Sequence, residues 1–287
     1  GELDGGQTFS VTIAHTDQNT WSSANITLVT NSLGTFKLSS AEGGNGIGGY
    51  DDNMPRAVEE VWDAGVATNV NLQKGVGSSM NVQWESPRIA ATTLRLAYTP
   101  DNAGGQVNDK ATGGATASDL GSGWDAVLRI NPSVGAMGAD LFLGYSETEK
   151  DNSTTATGKK HENRHREAVA GLTLDLGPIS IGGQGSAEYM PSVGVGDVEY
   201  YGNTSIGMAF NVNDDLSISY GEMRSMKATN GDVQQWTPKT EMTGESWQIA
   251  YTMGGVSFKY ADTKVKNAKY ASSSSNDAQL FIMSMAF

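Results

Sequence analysis

The sequence has 287 residues, enough for one large β domain or two ordinary ones, and it contains no Cys, which excludes a disulfide framework and any thiolate metal site. A formal net charge of −13 disfavours nucleic acid as a partner, because no basic face can neutralise phosphates. No run approaches the roughly 18 apolar residues of a spanning helix, yet a mean hydropathy of −0.36 does not exclude a membrane, since a transmembrane barrel carries its apolar band on every second residue.

Period-two alternation runs from end to end. In TFSVTIA, Phe9, Val11 and Ile13 share one face and Thr8, Ser10 and Thr12 the other. SANITL, GTFKLSS and SMNVQWE follow, with Ile26, Phe36, Leu38, Val82 and Trp84 opposed to Asn25, Lys37, Gln83 and Glu85. TTLRLAYT opposes Leu94, Leu96 and Tyr98 to Arg95; WDAVLRIN opposes Leu128 and Ile130 to Asp125 and Arg129; ADLFLGYS opposes Leu141, Leu143 and Tyr145 to Asp140 and Ser146. EAVAGLTLDL, ISIGGQGSAEY, GNTSIGMAFNV, LSISYG, SWQIAYTM and VSFKYA continue the pattern, the last setting Phe258 and Tyr260 against Lys259. AQLFIMSMAF closes it, with Phe281, Met283, Met285 and Phe287 on one face. That predicts fourteen strands.

Tight turns such as NSLG, LGPI and MGG alternate with long polar segments at 42–75, 100–122, 147–163, 190–199, 225–243 and 265–277. Short turns on one side and long loops on the other suit an up-and-down meander. The face opposite the apolar one is polar and charged, so the apolar face must meet lipid and the polar face water. Lipid tolerates no open sheet edge, so the sheet must close. The aromatic residues Tyr98, Tyr145, Tyr220, Trp247, Tyr251 and Tyr260 lie on the apolar faces, as an interfacial girdle would. The expected fold is an all-β, transmembrane, antiparallel up-and-down β-barrel, one domain over residues 1–287.

At this point the chain resembles the general bacterial porins of the Gram-negative outer membrane. The paired strands SSANITLVTNSLGTFKLSS, the long acidic loop directly after them and the terminal Phe287 carry the resemblance. It implies that the loop at about 42–75 folds inward and narrows the pore, that Phe287 serves as the assembly signal, and that the chain is a homotrimer set among outer-membrane lipid and lipopolysaccharide. It also implies sixteen strands, and GTFKLSS is only the third strand here where the porin pattern has its fifth, so an N-terminal strand pair is expected to be missing from this sequence. A closed barrel of fourteen strands is the other even-numbered solution.

The loop opens with Gly44-x-Gly46-x-x-Gly49, a dinucleotide fingerprint in form. Its context fails: TFKLSS is no buried parallel strand, and Tyr50, Asp51 and Asp52 follow the glycines where a phosphate would sit. The inward-loop reading accounts for more residues. Glycines allow the bend, Pro55 suits the first turn of a short helix over PRAVEEVW, and the acids Glu42, Asp51, Asp52, Glu59, Glu60 and Asp63 are the candidate constriction carboxylates. Lys37, Arg95, Arg129 and Lys259 point inward by alternation as the basic pore wall. A carboxylate ring favours cations, and acids facing bases set a transverse field.

HENRH at 161–165 has the form of a zinc-protease motif, but the following residues alternate as a strand, where the two histidines cannot share a helical face. The basic run Lys159 to Arg166 instead suits contact with anionic lipopolysaccharide. No nucleophile–base–acid set is visible, so no enzyme is expected. No cofactor and no metal site is expected, although clustered loop carboxylates are of the type that hold Ca2+. The expected function is passive diffusion of ions and small hydrophilic solutes through a mildly cation-selective, water-filled channel. The alternatives are a substrate-specific monomeric channel of fourteen strands and a plugged surface receptor or adhesin.

Overall fold

A computed structural model describes residues 1–16, 19–100, 120–150, 164–190, 196, 198–229 and 237–285. Its strands are β1 (Thr8–Thr16), β2 (Asn19–Val29), β3 (Thr35–Ser40), β4 (Asn81–Glu85), β5 (Thr92–Thr99), β6 (Leu120–Ile130), the two-residue β7 (Ser133–Val134), β8 (Met137–Lys150), β9 (Arg164–Leu176), β10 (Ile179–Tyr189), β11 (Val198–Asn211), β12 (Leu216–Thr229), β13 (Thr237–Met253), β14 (Val256–Lys266) and β15 (Ser275–Met285). Apart from β7, which pairs only with β8, each strand pairs antiparallel with its sequence neighbours in one sheet running from β1 to β15. All fourteen strands read from the sequence are present.

The register shows why alternation specifies this sheet. Leu128, Leu143, Ala170 and Gly185 stand directly across from one another on β6, β8, β9 and β10, so they share one face. Val11, Ile26, Leu38, Leu143, Ile206 and Trp247 on that face are exposed, whereas Asp125, Ser146, Thr148, Glu167 and Glu188 on the other are buried. This polarity is inverted relative to a water-soluble domain and is what a lipid-facing band requires. Trp124 packs on Tyr145 and Tyr220 on Trp247, with ring centroids 5.5 and 4.5 Å apart. These pairs lie on the outward face, where amphipathic rings suit a membrane interface.

Two expectations are corrected. First, β12, β13 and β14 extend past the alternating segments, as far as Thr229, back to Thr237 and on to Lys266. Their outward positions there include Glu222, Glu245 and Lys264, set side by side by the register, and Arg224 in the next row. Beyond the lipid band nothing demands an apolar outward face, so the strands continue while the pattern stops. Second, PRAVEEVW is not a helix; the helical turn is a 3-10 segment at Gly46–Tyr50. The amides of Ala57, Val58 and Glu59 instead donate to Ser219 Oγ and Gln248 Oε1 on the sheet. Backbone donors satisfied by a neighbouring wall have no need of helical partners.

Among the described residues no ladder joins β1 to β15. Phe281, Met283 and Met285 share the outward face of β15, and Phe287 lies outside the described residues.

Leu143→Arg, on the outward face, should destabilise the protein by about 2–4 kcal/mol. Ser180→Arg, inward and beside Asp175, should change stability by less than about 1 kcal/mol. Urea unfolding from lipid vesicles measures both.

Candidate functional site

Residues 41–79 form a strap against the inward face of the sheet. Its outbound leg crosses the sheet by hydrogen bonds to inward side chains. Ile47 N donates to Asp125 Oδ2 on β6 at 3.0 Å. Thr173 Oγ1 on β9 donates to Asn53 O at 3.1 Å, and Gln184 Nε2 on β10 donates to Asp51 O at 2.8 Å. Ser219 on β12 accepts from Ala57 N at 2.9 Å, and Gln248 on β13 accepts from Val58 N at 2.9 Å. At Gly65 the strap reaches Ala278 and Leu280 of β15.

The return leg comes back nearer the long-loop ends of the strands. Asn203 Nδ2 on β11 donates to Asn71 O at 2.7 Å. Lys74 N and Gly75 N donate to the two oxygens of Glu167 on β9 at 2.8 and 2.7 Å. Val76 N donates to Asp125, 3.1 Å from Oδ2. Asn45 Nδ2 donates to Gly77 O at 3.0 Å and so ties the two legs together where they leave the sheet. One carboxylate, Asp125, therefore receives amides from both legs.

Glycine makes that clasp possible. A Cβ on Gly46 would lie 1.8 Å from Asp125 Oδ2, and one on Gly75 2.1 Å from it; both residues have positive φ, 54° and 59°. The glycines of the fingerprint-like run thus admit a carboxylate of the protein itself, not a nucleotide phosphate. A second close approach comes from Gly182, Gly207 and Gly221, which pair across β10, β11 and β12 as one inward row. Pro55 and Val61 lie in the trough this row leaves.

Apolar contacts reinforce both ends. Ile47 and Tyr50 pack with Val127, Phe142 and Val169. Val61, Trp62, Val66, Val70 and Leu72 pack with Met223, Met242 and Val265. Those wall residues are apolar side chains on the nominally polar face, where simple alternation does not expect them. Their signal is an interruption of alternation, as where Phe142 sits between Leu141 and Leu143.

The expected basic wall residues do occupy inward positions, but three of them have carboxylate partners. Lys37 Nζ lies 2.6 Å from Glu42, Arg95 Nη2 2.6 Å from Glu85, and Arg129 Nη2 2.6 Å from Asp140. Arg95 also stacks over Tyr50 at 5.7 Å. Lys259 is half-buried, with no ion pair among the described residues. Glu42 therefore belongs with the wall. Burial pushes its carboxyl up, but hydrogen bonds from Lys37, Ser39 and Asn25 outweigh this and hold it below the usual range. Glu85 and Asp140, on the neighbouring strands, are the carboxylates that complete two of these pairs.

Asp52, Glu59 and Glu60 gather around Arg56, which lies 3.6 Å from Asp52 and 2.9 Å from Glu60. Asp63 is exposed on the next turn, and Asp51 is half-buried. Burial pushes Glu60 up to about 9, and hydrogen bonding to Glu59 and Asp52 adds to it; Arg56 pulls the other way and is outweighed. The hydrogen bond with Glu60 in turn lowers Glu59. Of the two, Glu60 is the one whose burial favours the proton, and Glu59 the one that favours the charge.

No family model matches the sequence, and no curated protein sequence matches it. Solved structures do. The anion-selective porin of Comamonas acidovorans superposes with a TM-score of 0.61 over 100% of this chain and 87% of its own, at 12% identity. The chain has the fold of the outer-membrane porins. Pseudomonas putida OprB gives a TM-score of 0.60 at 10% identity, covering 97% of this chain and 76% of that one. Salmonella typhi OmpF gives 0.52 at 10% identity, covering 96% and 94%. Within this porin fold, the strap is the segment between β3 and β4.

Asp125→Ala should release the strap, each amide left without its acceptor (Ile47 N and Val76 N) weakening docking by about 1–3 kcal/mol. A nitroxide on Lys74→Cys, in a chain with no native Cys, should change from immobilised to mobile, and Gly75→Val should do the same.

Glu60 gives a pH dependence with a definite sign. Its ordinary value is 4.5, and in the folded state it is about 9, so the folded protein holds an extra proton between these values. Stability should fall as pH rises across that interval and level off above it. Urea midpoints at pH 6 and 8 should differ in the wild type, and Glu60→Gln should reduce the difference.

Proposed function

We propose that this chain is an outer-membrane channel through which ions and small hydrophilic solutes diffuse passively, with the strap as its constriction. One observation carries the reading: charged side chains on the inward face remain open to water. Glu85 is 42% exposed and Arg129 39%, although both point away from the apolar band. Inward groups in a dry, fully packed interior would be covered, so this exposure supports a water-filled lumen.

A mild cation preference follows from the charge arrangement. The bases Lys37, Arg95 and Arg129 are each opposed by a carboxylate within ion-pair distance, which weakens the transverse field they would otherwise set. The strap carries six carboxyl groups, of which Glu42 belongs to the wall, against Arg56 and Lys74. The negative excess lies on the strap, and a ring of such groups favours cations. Lys259 on β14 opposes this bias.

We further propose a homotrimer, in contact with outer-membrane lipid and lipopolysaccharide. Gly183, Gly185 and Ala187 lie on the outward face of β10 and leave room for a close neighbour. A second reading, a narrow channel for one solute class, is favoured by the reach of the strap from β6 to β15.

Single-channel recording in a planar bilayer under a KCl gradient tests both. Grouped threefold steps with a potassium-to-chloride permeability ratio above one support the general channel. Neutralising Asp52, Glu59 and Asp63 together should bring that ratio toward one. Small single steps blocked by one solute support the narrow channel, and no conductance overturns both.

A further inference from the structure

Glu167 on β9 and Glu188 on β10 stand directly across from one another on the inward face. They are 2% and 4% exposed. Like charges in that relation repel, and burial removes the water that would screen them. His165, two residues before Glu167 on the same face, is also buried, and its Nε2 lies 2.8 Å from Glu188 Oε1. One nitrogen and two carboxylate oxygens of these residues fall within 4.8 Å of one another.

The return leg of the strap adds a fourth group. Asn71 is 1% exposed, and its Nδ2 donates to Glu188 Oε2. Its side-chain oxygen has no hydrogen-bond partner. An amide is nearly symmetric in shape; turned over, Asn71 would aim Oδ1 at Glu188 Oε2, an oxygen pair that a cation bound between them satisfies. Glu167 is not exhausted by the amides of Lys74 and Gly75, since an ionised carboxylate has about four lone-pair sites.

We propose that His165, Glu167, Glu188 and the side-chain oxygen of Asn71 bind one divalent transition-metal ion of the zinc type. The donor set is one imidazole, two carboxylates and one amide oxygen. Imidazole selects zinc-like ions over Ca2+ and Mg2+, which take oxygen ligands. With neutral His165 the two carboxylates match the double positive charge. Donors at about 2.0–2.2 Å from the ion would draw the cluster inward and fasten β9, β10 and the strap together. The zinc-protease reading of HENRH fails because His165 lies in a strand, yet the same histidine meets different partners across the sheet.

The test uses the full chain in detergent micelles, with Zn2+ and Co2+ as probes and Ca2+ as the comparison. Calorimetry should show one Zn2+ per chain, and Co2+ should give a visible absorption band. Glu188→Gln, His165→Ala and Asn71→Ala should each weaken binding at least tenfold, with strand content checked by circular dichroism. The sequence has two other histidines, His15 and His161, so the His15→Ala/His161→Ala double variant should bind as the wild type does. Loss of binding in that double variant, or unchanged binding in Glu188→Gln and Asn71→Ala, overturns the proposal. So does an affinity weaker than about 1 mM. None of these readouts requires the channel to conduct.

Discussion

The Asp125 carboxylate on β6 is the point on which the interior depends. It accepts the amide of Ile47 from the outbound leg and that of Val76 from the return leg, so one acceptor fixes both ends of a strap nearly forty residues long. A carboxylate aimed inward from a strand is costly to bury unless its lone pairs are filled. Here backbone amides fill them, and the same amides would be orphaned without it. Each side relieves the other's desolvation, which explains why glycine stands at 46 and 75, where any Cβ would strike the carboxylate.

The same exchange recurs along the wall. Glu167, Gln184, Ser219 and Gln248 are inward polar side chains, and each takes up a backbone group of the strap. The polar face of the sheet is therefore partly a set of sockets for an irregular segment. Backbone away from regular structure needs partners, and at membrane depth it survives only within protein or beside water. Apolar side chains occur on the inward face where the strap covers it, at Val127, Phe142, Met223 and Val265.

The charges divide in a related way. On β5 and β6 the bases sit beside carboxylates of the neighbouring strands, and on β3 Lys37 meets Glu42 at the start of the strap, so the wall is close to locally neutral. On the strap Asp52, Glu59 and Glu60 cluster around a single arginine, and burial favours the proton on one of them. The field inside the sheet thus depends less on how many acids the loop contains than on which are buried, paired or wet.

The strands, their order and the face each residue takes were legible in the sequence, because alternation is a local response to lipid on one side and water on the other. Val11, Leu128 and Ile206 stand outward, and Lys37, Asp125 and Arg129 inward, as period two requires. Strand ends above the lipid band were not legible, because nothing there enforces the pattern. The tertiary structure alone decided what depends on register and on contacts between distant segments. It paired Arg95 with Glu85 and Arg129 with Asp140. It replaced a locally plausible helix at PRAVEEVW with amides bound to Ser219 and Gln248. It brought His165 to Glu188 and Asn71, and gave Gly46 and Gly75 a carboxylate to admit. Apart from the two arginine pairs, which join neighbouring strands, those partners are far apart in sequence, and local propensity carries no information about which distant side chain will face a given amide.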